Sequence, residues 1–74
     1  MPKLAQLSGK QIIKALEKEG YYVVRQKGSH VRLVCSDKTK KTITVPDHKR
    51  IGIGLLRKIL RDAQLTVEEF KKLL

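Results

Sequence analysis

Two short runs decide what this chain can fold into. From His30 to Cys35, Val31, Leu33 and Cys35 fall on one side and His30, Arg32 and Val34 on the other. From Lys41 to Val45, Ile43 and Val45 oppose Thr42 and Thr44 in the same way. Successive side chains of a strand point to opposite faces, so each run reads as a strand with a core face and a free face. Strands of that kind belong to an antiparallel sheet covered on one side only. A third run, Tyr21-Tyr22-Val23-Val24-Arg25, is rich in aromatic and β-branched residues and reads as the first strand. Lys27-Gly28-Ser29 and Asp37-Lys38-Thr39-Lys40 are turn sequences between the runs. Pro46, which has no amide to donate, is expected to end the last strand.

Helices flank the strands. Ser8-Gly9-Lys10-Gln11 is a capping box, with Leu7 and Ile12 placed as its hydrophobic staple. Ile12, Ile13 and Leu16 then recur at helical spacing, and Gly20 suits the left-handed residue that closes a helix. The first helix is expected over about residues 9–19. After a basic, glycine-containing loop from Asp47 to Gly54, Leu56, Ile59, Leu60 and Ala63 make the apolar stripe of a second helix over about 54–63. Thr66-Val67-Glu68-Glu69 is another capping box, stapled by Leu65 and Phe70, and opens a short last helix. The order is α-β-β-β-α with an extra C-terminal helix. Both long helices need the apolar side of the sheet. The expectation is an α+β two-layer sandwich with a three-stranded antiparallel sheet, its open face showing His30, Arg32, Thr42 and Thr44. The 74 residues are read as one domain, 1–74, with a thin core and no room for a deep cofactor cleft.

Charge supplies the first functional constraint. The chain carries a net +10, and residues 20–61 alone carry eleven basic and two acidic groups. A field of that density attracts phosphate backbones through counterion release, which points to nucleic acid as the partner. The single cysteine, Cys35, has no internal partner and fits a reducing compartment. No apolar run approaches the roughly 20 residues of a membrane span, and Met1-Pro2-Lys3-Leu4-Ala5 lacks a leader's apolar region. The expected location is cytoplasmic, with no membrane partner.

Gly28-Ser29-His30 is the sharpest motif. Glycine permits close approach of another backbone, Ser29 can donate to a phosphate oxygen, and His30 can move a proton near neutral pH. The residues alone leave a second reading open, an ordinary hairpin turn followed by an exposed histidine. His48, in Pro46-Asp47-His48-Lys49-Arg50, is a phosphate ligand, a second acid–base group or a solvated loop residue. Tyr21 and Tyr22 could offer a base-stacking surface, but alternation sends one of them into the core. His30, Cys35 and His48 lack the paired spacing of a zinc site, the carboxylates are not clustered for magnesium, and Cys35 falls on the apolar face. Neither a metal nor a small-molecule cofactor is expected.

Leu7-Ser8-Gly9-Lys10, Val24-Arg25-Gln26-Lys27-Gly28-Ser29-His30 and Thr44-Val45-Pro46-Asp47-His48 together resemble the HicA (YcfA-like) family. Leu56-Arg57-Lys58-Ile59-Leu60-Arg61-Asp62-Ala63 and Glu68-Glu69-Phe70 continue the likeness in order and spacing, so that it covers about Leu4 to Phe70. The resemblance implies a double-stranded-RNA-binding-like fold, an mRNA-cleaving toxin and a HicB-like antitoxin that neutralises it. The family's catalytic histidine, in its Gly-Ser-His motif, falls on His30. The chain departs from the family at Gly54-Leu55, where Gly-Thr is frequent, and at Ala63-Gln64-Leu65, where Ala-Gly-Leu is frequent.

On this reading the chain is a metal-independent endoribonuclease. His30 acts as base on a 2′-hydroxyl or as acid to the leaving 5′-oxygen. Lys27, Gly28, Ser29, Arg32, Lys40, Lys41, His48, Lys49 and Arg50 are the candidate RNA contacts. The rival reading is a non-catalytic RNA-binding module that recognises shape, phosphates and 2′-hydroxyls. A DNA-binding regulator fits less well, because no helix pair reads as a helix-turn-helix.

Overall fold

The computed structural model describes residues 4–74, so Met1-Pro2-Lys3, most of the segment read above for a leader, lies outside it. After a 3-10 turn at Leu4–Gln6 come α1 (Gly9–Glu17), β1 (Tyr21–Lys27), β2 (His30–Cys35), β3 (Ile43–Pro46), α2 (Ile53–Asp62) and α3 (Val67–Lys71). The strands form an antiparallel sheet in the order β1-β2-β3. The element order is compatible with the double-stranded-RNA-binding-like arrangement.

Each helix with a capping box begins as that box dictates. The Ser8 hydroxyl accepts from the Gln11 amide at 3.2 Å, and the Gln11 side-chain oxygen accepts from the Ser8 amide at 2.8 Å. Thr66 and Glu69 repeat the exchange at α3, at 3.1 and 2.9 Å. These bonds satisfy amides that have no partner within the helix. α1 ends at Glu17, two residues before the expected limit, and the chain turns into β1 through Gly20 at φ +97°. α2 closes differently. Leu65 N–H donates to the Leu60 carbonyl at 2.9 Å and Gln64 N–H to that of Arg61 at 3.1 Å, with Gln64 at φ +59°. This is the six-to-one and five-to-two pattern that usually has glycine at its left-handed residue. Here Gln64 occupies that position, which is where the chain departs from the Ala-Gly-Leu frequent in the family it resembles.

The core lies between the sheet and the helices. Val31, Leu33 and Cys35 of β2 and Ile43 and Val45 of β3 are buried with Ile12, Ala15 and Leu16 of α1 and Leu56, Ile59 and Leu60 of α2. Leu7, Tyr21, Ala63, Leu65 and Phe70 complete the cluster. α1 packs on β1 and β3, and α2 packs on β3. Ile51, within the basic loop, is also buried, and its amide donates to the Leu7 carbonyl at 2.8 Å. The loop is therefore anchored to the start of α1. Gly9 meets the end of β3 so closely that a Cβ there would be driven into the Pro46 carbonyl oxygen.

Two strand limits differ from expectation. β3 starts at Ile43 rather than Lys41, and the Lys41 carbonyl accepts from the Tyr21 hydroxyl at 2.9 Å. Burial raises the pKa of that phenol to about 12, helped by the nearby Cys35, Asp62 and Asp37. β1 runs on past Arg25 to Lys27, so the turn shrinks to Gly28-Ser29. Pro46 ends β3 as expected, opposite His30. β3 is an edge strand, so the missing amide leaves no ladder bond unmade.

Candidate functional site

β1 and β2 are joined by a two-residue turn, Gly28-Ser29, with Gly28 at φ +59°. Lys27 pairs with His30 across its mouth. The Ser29 carbonyl accepts from the Asp47 amide at 2.6 Å, and the His48 carbonyl accepts from the Gly9 amide at 2.9 Å. The turn that precedes His30 is thus tied through Asp47-His48 to the N-terminus of α1. His30 starts its strand on braced backbone while its side chain remains exposed.

A bulge decides which cations join it. Tyr21 pairs with Cys35 on the core side and Tyr22 with Val34 on the open side, but the register slips between Val23 and Arg25. Strict alternation from buried Tyr21 would put Arg25 and Lys27 on the core side. The extra residue, Val24, shifts the phase by one. Arg25 comes to pair with Arg32 and Lys27 with His30, all on the open face.

The result is a shallow depression of about 180 Å³ lined by Arg25, Lys27, His30, Arg32 and Thr44. Among the described residues the ion pair within 4 Å is Lys58–Asp62 on α2, so Arg25, Lys27 and Arg32 have no carboxylate partner. Like charges directly opposed across a sheet destabilise it. Four cationic or titratable groups facing one another at Arg25/Arg32 and Lys27/His30 therefore suit an anion supplied from outside. The rigid guanidinium forks of Arg25 and Arg32 match phosphate oxygens.

The residues singled out from sequence separate into three places. Lys27, His30 and Arg32 share the depression, with Gly28 and Ser29 at its edge. Lys40 lines a second hollow at the other end of the open face, and exposed Lys41 follows it outside the strand. His48, Lys49 and Arg50 are exposed on the loop tied to α1, and His48 does not line the depression at His30. Cys35 is buried and free. Arg25 and Thr44 line the depression although neither was among the candidate RNA contacts. A signal for Arg25 existed. Counting forward from core Tyr21 and counting back from the Gly28-Ser29 turn give opposite faces for it, and only an inserted residue reconciles the two. Among the described residues no group of three or more His, Cys, Asp or Glu side chains is placed to hold a metal, and no helix is long and apolar enough to cross a membrane.

An exposed histidine ringed by unpaired cations on the free side of a half-covered sheet defines a small α+β protein with a cationic open face. Residues 9–65 match the family described as the HicA toxin of bacterial toxin–antitoxin, and the chain belongs to that family. No curated protein matches the chain. Membership makes the chain a toxin and implies an antitoxin as its partner.

Proposed function

We propose that the toxin is a metal-independent endoribonuclease that cleaves mRNA at His30, and that a HicB-like antitoxin silences it by covering the same cationic face. The observation that carries this reading is the exposed His30 among Arg25, Lys27 and Arg32 at a braced strand end. In the proposed reaction an RNA 2′-oxygen attacks the adjacent phosphorus. The 2′-hydroxyl proton leaves to a base, and the departing 5′-oxygen gains a proton from an acid. His30 fills one of these two roles. The three cations stabilise the charge that builds on the non-bridging oxygens, where preorganised donors have the greatest effect. Complementary charge would speed and orient docking of an acidic antitoxin surface.

The test is His30→Ala. General acid–base catalysis is typically worth about 10²–10⁴-fold, so cleavage of a single-stranded RNA should fall by that factor while the fold and much of the RNA affinity remain. EDTA should leave the parent rate unchanged, DNA should resist, and products should carry a 2′,3′-cyclic or 3′-phosphate. Full activity in a folded His30→Ala protein, or 5′-phosphate products that vanish with EDTA, would defeat the proposal. A non-catalytic RNA-binding module is the second reading, favoured by one fact: no second histidine or carboxylate lines the depression with His30. RNA that binds the parent chain and stays intact would establish it.

A further inference from the structure

The second hollow on the open face is not used by chemistry at His30. It is lined by Tyr22, Val34, Lys38, Lys40 and Thr42 among others and, at about 490 Å³, is larger than the depression at His30. Tyr22 is 50% exposed although it is one of only three aromatic residues in the chain. Its neighbour Tyr21 has taken the core position, so Tyr22 contributes nothing to that packing. An aromatic ring held open beside two lysines offers a flat surface for a base and cations for the phosphates on either side of it. That combination is how proteins track single-stranded nucleic acid. The ring of a paired base is already stacked within its helix, so such a site acts only on unpaired RNA.

Position along the strand links this hollow to the cleavage site. Tyr22 pairs with Val34, four residues from His30 on β2, which places the two sites about 13 Å apart at ~3.3 Å per residue. One extended RNA strand running along β2 reaches both. We propose that Tyr22, with Lys38 and Lys40, forms a base-stacking subsite for single-stranded RNA a few nucleotides from the phosphate at His30, and that it makes the chain select unpaired RNA over duplex. The position of that phosphate rests on the ribonuclease reading, whereas the stacking itself does not.

The test uses the full chain carrying His30→Ala, so that binding is read without cleavage. Affinities are measured for oligoadenylate and for an oligoadenylate–oligouridylate duplex. Tyr22→Ala should weaken oligoadenylate binding about 5- to 150-fold, the equivalent of ~1–3 kcal/mol per stacked base, and leave duplex binding unchanged. Tyr22→Phe, which keeps the ring, should retain the parent affinity. The chain has no tryptophan, so Tyr22→Trp installs a sole reporter whose fluorescence should be quenched by oligoadenylate.

Unchanged affinity in a folded Tyr22→Ala protein, an equal loss on duplex, or an unquenched Trp in a chain that binds would each overturn the subsite. Should Tyr22→Ala spare RNA binding but abolish copurification with the antitoxin, the hollow belongs to a protein partner and the proposal falls. The two readings fail separately. Stacking at Tyr22 in a parent chain that never cleaves RNA sinks the ribonuclease and keeps the subsite. Cleavage with Tyr22→Ala binding unaltered does the reverse.

Discussion

The two sides of β2 share one backbone and answer to different demands. On the inner side Val31, Leu33 and Cys35 are 4, 0 and 3% exposed and meet the stripes of α1 and α2. On the outer side His30 and Arg32 stand in solvent opposite Lys27 and Arg25. The inner side is selected by fit, since its side chains are enclosed by their neighbours. The outer side opposes the fold, because it sets like charges across the ladder. Residues that cost stability and satisfy no internal partner fit the RNA-binding role proposed above. Stability and binding should therefore respond oppositely to changes on the two sides.

The largest effect is expected on the inner side. Leu33→Ala should cost about 2–5 kcal/mol. At roughly 4–8 °C per kcal/mol for a domain of this size, a thermal melt would show a drop of about ten degrees or more, with RNA affinity of the folded fraction unchanged. A loss of affinity without a loss of melting temperature would break the division between the faces.

A smaller change tests a polar atom held on the inner side. Tyr21→Phe should cost about 0.5–1.5 kcal/mol at neutral pH, because the Lys41 carbonyl loses its donor. The same variant carries a pH signature. The Tyr21 pKa is raised from 10.0 to about 12, chiefly by burial. Below pH 10 the phenol is protonated in the folded and unfolded chain alike, so its contribution is fully present. Between 10 and 12 only the unfolded chain releases the proton, and stability falls as pH rises. Denaturant melts across that window should fall more steeply for the parent than for Tyr21→Phe. Parallel slopes would show that the phenol is not held as described.

The smallest effect, and the most discriminating, belongs to the outer side. Replacing Arg25 and Arg32 together with glutamine should stabilise the fold by about 0.2–1 kcal/mol by removing the cross-strand repulsion. RNA affinity should fall, and the slope of log affinity against log salt should flatten by about 0.7 for each single-strand phosphate that the protein no longer neutralises. A destabilised variant would mean that the two arginines serve the fold.

The inner side was legible before the structure. The stripes of β2 and β3, both capping boxes, the Gly20 stop and the burial of Cys35 follow from period, composition and short-range hydrogen bonding. The arrangement of helices on one side follows from their stripes. What escaped depends on neighbours distant in sequence. Ile51 reads as part of a basic loop, yet its side chain is buried and its amide is bonded to the distant Leu7 carbonyl. Lys41 and Thr42 fit a strand pattern, yet the ladder starts at Ile43, and the Lys41 carbonyl accepts from the Tyr21 hydroxyl across the fold. On the outer side His30, Lys27 and Arg32 are found where their positions along the strands put them. Arg25 was hidden because a bulge obeys two ends of a strand at once, and neither end alone reveals it. Gln64 shows a similar limit: its side chain gives no sign of a left-handed backbone, which the closing bonds of α2 impose.

The bulge also determines what kinds of change β1 can absorb. Its two halves run in opposite phase, Tyr21 toward the core and Arg25 and Lys27 toward the open face, and Val24 is the spacer between them. The side chain of a spacer is nearly free, since Val24 stands half exposed. Its presence is not free. Losing one residue anywhere between Tyr21 and Lys27 forces either the tyrosine out of the core or two cations into it. In this strand length is under stricter control than identity: substitutions at Val24 are permitted, and insertions or deletions nearby are not.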